Sequence, residues 1–219
     1  MTKSQLIVEG RDDLYLIANL LQTNGVNMDA SSRPIDIIER RSVELLLESL
    51  ESSIKAATDH PIGFVLDSDI RCQDRWRAVK DRIGALSITL PDNCPEAGYI
   101  GRVPDYKFQF GVWLMPDNKT DYGKLEDFIS QLVPAQDTLL PYARKATKAA
   151  REYGAKFSDN DEIKAIVHSW LAWQKEPGLP FGTALNASFL DHKSPFALPF
   201  LKWIYALYGI IPNMSGTPS

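Results

Sequence analysis

The chain has 219 residues, 44% of them hydrophobic and 24% charged, the make-up of a globular protein long enough to bury a sizeable core in one large domain, with or without an appendage. Its formal net charge of -4 argues against a protein that coats DNA nonspecifically, because that mode depends on many cationic phosphate contacts. An enzyme whose acidic centre is rimmed by local basic patches stays compatible with it. No apolar run reaches the roughly 20 residues needed to cross a bilayer, since the run over 198–207 is broken by Lys202 and flanked by prolines. The N-terminus enters a strand-like segment directly, without the charged and apolar regions of a secretory signal, so a cytoplasmic, non-membrane protein is expected. Cys72 and Cys94 are then expected as free thiols. Together with His60, His168 and His192 they show no zinc-ligand spacing.

In chain order, Leu6-Ile7-Val8 ends at Glu9-Gly10, and Leu14, Ile17, Leu20 and Leu21 come next at helical spacing, which predicts strand, turn and helix. The unit repeats with a strand at 35–38 and a helix carrying Val43, Leu46, Leu47, Leu50 and Ile54. A third unit has Ile62-Gly63-Phe64-Val65-Leu66 as a buried strand, Asp67-Ser68-Asp69 at its end and a helix over 75–86. Strands alternating with helices imply a mainly parallel α/β sheet flanked by helices. Pro91, Pro95 and Pro104 then punctuate strand-like pieces at 99–100 and 108–115. Helices are expected over 125–133, 138–153 and 162–173, then a Pro/Gly-rich connector at 176–182 and a last apolar helix over 196–208. The tail 213–219 reads as disordered.

Ligands of an open parallel sheet bind beyond the carboxyl ends of its strands, where this reading puts Glu9 and the Asp67/Asp69 pair. Carboxylates converging there repel one another unless a cation neutralises them, and all-oxygen ligands suit Mg²⁺ or Mn²⁺ rather than zinc. Where a strand ends and begins to turn, residues two apart can aim both carboxylates to one side while Ser68 points away. The competing use of such acids is helix capping: Asp12 or Asp13 on the first helix, Asp69 on the third.

Leu6-Ile7-Val8-Glu9-Gly10-Arg11-Asp12-Asp13, with Phe64-Val65-Leu66-Asp67-Ser68-Asp69 after it, resembles the Toprim domain of topoisomerases, bacterial primases, small maturation ribonucleases and overcoming-lysogenisation-defect nucleases. That family has a glutamate after its first strand and Asp-Xaa-Asp after its third. The resemblance implies a Toprim-like metal-binding catalytic domain over residues 1–133, with residues 134–219 as a helical extension packed on it. Further residues are similar to the lysogenisation-defect branch: an acid four after the glutamate, here Asp13; a helix start at Gly123-Lys124-Leu125-Glu126; and a later helical lysine, here Lys164, with Lys148 as its rival. Trp170-Leu171-Ala172-Trp173-Gln174 and Glu176-Pro177-Gly178 resemble a small bacterial Toprim family without an attached ATPase. No Gly-Xaa4-Gly-Lys-Ser/Thr loop is present, so an in-chain ATPase is not supported.

The resemblance implies metal ligands at Glu9, Asp13, Asp67, Asp69 and Glu126, with Glu9, Asp67, Asp69 and Lys164 carrying the reaction. A lysine beside a scissile phosphate can neutralise charge that grows in the transition state, whereas most helical lysines solvate a surface. His168, four residues after Lys164, shares its helix face, with a core or surface role as the competing reading. Arg144, Lys148 and Arg151, at offsets of four and three, form one cationic stripe that is either a solvated face or a phosphate-tracking groove. Trp113, Trp170, Trp173 and Trp203 are expected to pack the core. Two functions stay open. One is a nuclease using one or two Mg²⁺ or Mn²⁺ ions to hydrolyse DNA or RNA. The other is a Toprim-derived regulatory module that binds nucleic acid or a partner protein, or forms a homodimer, without turnover.

Overall fold

The computed structural model describes residues 3–69, 71–86, 88–102 and 107–212; the tail at 213–219 lies outside them. Five strands, β1 (Ser4–Val8), β2 (Ile35–Glu39), β3 (Ile62–Asp67), β4 (Tyr99–Arg102) and β5 (Gln109–Met115), form one sheet in the order β2-β1-β3-β5-β4. All neighbours run parallel except β4, which closes one edge antiparallel to β5. The helices are α1 (Arg11–Thr23), α2 (Val43–Ala56), α3 (Cys72–Ile83), α4 (Leu125–Leu132), α5 (Leu139–Ala150), α6 (Glu162–Ala172), α7 (Phe181–Asn186) and α8 (Leu198–Tyr208). None among the described residues is long and apolar enough to cross a membrane. The molecule is thus an α/β protein whose mostly parallel sheet is flanked by helices, an arrangement compatible with a Toprim-like fold.

Side chains alternate across the sheet with the two-residue period of a strand. Leu6, Val8, Val65, Trp113 and Met115 face one layer, with α1 and α4 to α8. Ile7, Ile62, Phe64, Leu66, Phe110, Val112 and Leu114 face the other, with α2 and α3. Because the first layer draws on α5 to α8, residues beyond 133 share the core of the sheet. Two glycines bring α8 close: a Cβ at Gly63 or Gly111 would stand 2.9 or 2.8 Å from Leu207 Cδ2. Trp203 Nε1 donates to Tyr99 O at 3.0 Å, and Tyr208 Oη to Gln5 O at 2.6 Å, so the polar tips of both rings find backbone acceptors.

Three expectations need correction. Helix α3 starts at Cys72, three residues before Arg75, because the Asp121 carboxylate accepts the Cys72 N–H at 2.8 Å and satisfies that helix end. The connector at 176–182 gives way to α7 from Phe181, where Phe181, Ala184 and Leu185 bury themselves against the rest of the core. Gly182 allows that approach, for a Cβ there would lie 2.7 Å from Tyr15 O of α1. Trp173 is 42% exposed rather than core and packs on Tyr142 with ring centroids 5.4 Å apart, while Trp113, Trp170 and Trp203 are buried.

Gly182→Ala is therefore expected to destabilise by about 1–3 kcal/mol through overpacking. Gly84→Ala makes the control, since a Cβ there meets nothing within 4 Å and the backbone is right-handed helical. It should be neutral or stabilise by about 0.4–1 kcal/mol. Thermal unfolding of the two variants checks the contrast; equal shifts would refute the α1–α7 contact.

Candidate metal and phosphate cleft

The acids meet at the carboxyl ends of β1 and β3. Glu9, just past β1, accepts the Asp67 N–H on Oε1 at 2.7 Å, which ties the two strand ends together. Asp67 Oδ1 accepts the Leu125 N–H at 3.0 Å, so the first amide of α4 points at its carboxylate. Gly123 makes that approach possible: a Cβ there would fall 2.3 Å from Pro116 Cδ and 2.7 Å from Met115 O. Its own carbonyl accepts the Ser68 N–H at 2.9 Å. Ser68 turns away from the cleft, as expected, and its hydroxyl donates to Met115 O at 2.7 Å. Helix α4 then delivers Glu126, 6% exposed, to the same place. From α6, Lys164 Nζ reaches 3.6 Å from Glu126 Oε1.

Glu9, Asp13, Asp67, Glu126 and Lys164, with Lys124, Arg11 and Arg41, line one cleft of about 290 Å³. Asp13 serves two ends here: its Oδ2 accepts the Gly10 N–H at 3.1 Å, the capping use the sequence left open, and it lines the same cleft as Asp67. Asp69 stands apart. At φ 55° its side chain turns to the Arg75 guanidinium, whose Nε also donates to Asp67 O at 2.9 Å. It lines an adjoining cleft of about 350 Å³ with Tyr122, Lys124, Asp127, Arg144, Ile163 and Ile166. Lys124 borders both clefts.

The cationic stripe expected over Arg144, Lys148 and Arg151 comes apart, and Arg151 already lies beyond the end of α5. Arg144 faces the second cleft. Arg151 is drawn off to Asp159 at 2.8 Å and Glu162 at 3.1 Å, and it lies over the Phe157 ring. Lys148 is exposed and lines neither cleft, and His168 packs on Phe181 with centroids 5.0 Å apart. Sequence reasoning passed over Lys124, Arg75 and Tyr122. Lys124 lay inside the quoted Gly123-Lys124-Leu125-Glu126, where a residue one before the helix is carried to the acids with it. Arg75 sits in the first turn of α3, and only the fold brings its head back to Asp67 and Asp69.

Burial dominates the electrostatics. It pushes the Glu9 carboxyl up to about 7; the Asp67 amide opposes the rise, the charges of Asp13 and Asp69 add to it, and Arg75 counters them. Asp67 is raised well above the carboxylate range by burial and then by the neighbouring charges of Glu9, Glu126 and Asp69. Asp13 is raised by burial and by Asp67. Lys164 stands on Glu126 and Arg75 on Asp69, whereas Glu9, Asp13 and Asp67 have no ion-pair partner among the described residues. Among the described residues no three His, Cys, Asp or Glu groups meet closely enough to hold a metal ion as they stand. Still, the donors are all oxygen and anionic, and Mg²⁺ is usually held through one or two carboxylates with several waters, so the residues fit a hard divalent cation.

Fold and cleft together define an α/β protein with an acidic pocket at the carboxyl edge of its sheet. The chain belongs to the DUF3226 family, described as "Protein of unknown function", whose family model matches residues 3–209. No curated protein and no solved structure matches it.

Proposed function

We propose that this chain is a divalent-metal-dependent nuclease that hydrolyses phosphodiester bonds of DNA or RNA, with a Toprim-type centre. The observation that carries the reading is the meeting of Glu9, Asp67, Glu126 and Lys164, from four separate elements, in one cleft at the carboxyl edge of the sheet. Glu9, Asp67 and Glu126 would hold Mg²⁺ or Mn²⁺, with Asp13 beside them and Asp69 available once it leaves Arg75. Bound there, the ion would supply activation of water and stabilisation of the leaving oxygen.

The chain's own groups do the rest. Lys164 and Lys124 bring positive charge to a scissile phosphate beside the acids, where it offsets the negative charge that grows in a phosphoryl-transfer transition state. Arg11 and Arg41 at the same cleft offer contacts to flanking phosphates. The Leu125 N–H holds Asp67 in place, and the Asp67 N–H holds Glu9.

The test is cleavage of labelled single- and double-stranded DNA and RNA with Mg²⁺, with Mn²⁺ and with chelator. Cleavage with metal and none with chelator is expected. Lys164→Ala should lower the rate by about 10²-fold, the scale for losing one placed electrostatic group, while the stabilisation gained on adding Mn²⁺ persists. An unchanged rate would return Lys164 to the solvated surface. Arg75 on Asp69 and Lys164 on Glu126 favour a second reading, a nucleic-acid or partner-binding module without turnover, because both acids already have cations. That reading predicts metal binding with no cleavage of any of the four substrates.

A further inference from the structure

We propose that the cleft beside the acids is a subsite for one unpaired nucleotide, which makes single-stranded nucleic acid, or a single-stranded end, the substrate class; the inference rests on the nuclease reading of the neighbouring centre. The two clefts meet at Lys124, so a strand whose phosphate lies at Lys124 and Lys164 has the second cleft within reach of its next nucleotide.

That second cleft is built for a base and a phosphate. Its volume of about 350 Å³ sits at the low end of small-molecule sites, which run from about 300 to 1,000 Å³. Ile163 and Ile166 give it an apolar wall, and Tyr122, 62% exposed, stands at its side. Its acids are already engaged. Asp69 is held by Arg75, and Asp159 and Glu162 by Arg151. Asp127 Oδ2 accepts the Lys124 N–H at 2.9 Å. Arg144 has no carboxylate within ion-pair distance among the described residues; its Nη2 stands 3.5 Å from Ser130 Oγ. Its charge acts on Asp127 of the same cleft without a direct ion pair. Apolar wall, exposed aromatic ring and a guanidinium outside any ion pair together match a nucleoside and its phosphate.

The loop that presents Tyr122 is fastened along its length. Asn118 Oδ1 accepts the Leu114 N–H at 2.7 Å, Asp121 Oδ1 accepts the Cys72 N–H at 2.8 Å, and the Gly123 carbonyl accepts from Ser68. An exposed ring on a rigid loop is a ready stacking platform. Bases in a duplex are already stacked on each other, so only an unpaired base can lie on it.

The experiment reads binding apart from metal. In an Asp67→Asn background, which leaves the second cleft's lining unchanged, and without divalent ions, fluorescence anisotropy measures a short labelled oligothymidylate, the matching oligouridylate, a duplex of the same length, and thymidine monophosphate by competition. Single strands are expected to bind about tenfold or more tighter than duplex. Adding Tyr122→Ala should weaken single-strand binding by about 5- to 150-fold, the range for one lost base stack, with duplex binding unmoved. Tyr122→Phe should retain it. The two single strands distinguish DNA from RNA. Duplex bound as tightly or Tyr122→Ala without effect would overturn the subsite, and the mononucleotide bound as tightly as the strand would overturn single-stranded nucleic acid as the substrate class. Mn²⁺ stabilisation of the wild-type protein is scored separately: its absence beside intact Tyr122-dependent binding sinks the metal centre alone, and its presence with Tyr122 inert sinks the subsite alone.

Discussion

Asp67→Asn combined with Asp69→Asn is expected to abolish cleavage of every substrate while the protein stays folded. Asparagine keeps the shape of each side chain, and its Oδ1 can still accept the Leu125 N–H that Asp67 accepts at 3.0 Å. The charge is removed, and one acceptor oxygen of each side chain becomes an NH2 donor. At Asp67 that loss is favourable to the metal-free fold, because burial and the charges of Glu9, Glu126 and Asp69 already oppose its ionisation. At Asp69 it is unfavourable, since the Arg75 guanidinium, with a side chain only 12% exposed, loses its carboxylate. The opposed signs predict a double variant whose Tm above neutral pH stays close to that of the wild-type protein, with Asp67→Asn alone higher than either. Cleavage of the labelled strands at the wild-type rate by the double variant would move the chemistry away from this edge of the sheet.

How much of the fold and the cleft was legible depends on the range of each signal. The apolar runs of β1 and β3, and the acids that end them, are local patterns of a few residues, so the strand ends and the carboxylates there could be read directly. Helix α4 was equally readable from Gly123-Lys124-Leu125-Glu126. That tetrapeptide could not reveal that a Cβ-free residue at Gly123 lets the loop cross the end of β3 and aim an amide at Asp67. Helix α7 hid for a related reason: prolines and glycines punctuate 176–182, and only burial of Phe181 against the core makes a helix of residues 181–186. Charge pairing was the least visible. A helical wheel puts Arg144, Lys148 and Arg151 on one stripe, but Asp159 and Glu162 arrive from the next turn of chain to claim Arg151, and Arg75 claims Asp69 across the start of α3. Periodicity reports which face a residue occupies; it does not report which partner the fold brings to it.

Metal-free protein is expected to lose stability as the pH rises from about 5 to about 8, and Mn²⁺ is expected to reverse the trend. Glu9 titrates near 7 in the folded protein, against an ordinary value of 4.5. Between those values the native state holds a proton that the unfolded chain has released, so folding becomes less favourable with each step upward. The advantage is complete below 4.5, is lost as the pH passes through about 7, and levels off above it. Asp13 and Asp67, also raised, add in the same direction. A divalent ion needs the carboxylates deprotonated and competes with those protons, so its stabilisation grows over the same window. A ligand that binds only the folded state adds about 2.7 kcal/mol at about a hundred times its Kd, enough to raise Tm by several degrees. Glu9→Gln isolates the cause, because its amide oxygen can still accept the Asp67 N–H while the charge is gone. Metal-free, that variant should show a shallower fall of Tm with pH and a higher Tm than the wild-type protein at pH about 8, and its gain from Mn²⁺ should be much smaller. A wild-type Tm that stays level across the window, with the same Mn²⁺ shift in both proteins, would mean that Glu9 neither carries the buried charge nor meets the metal.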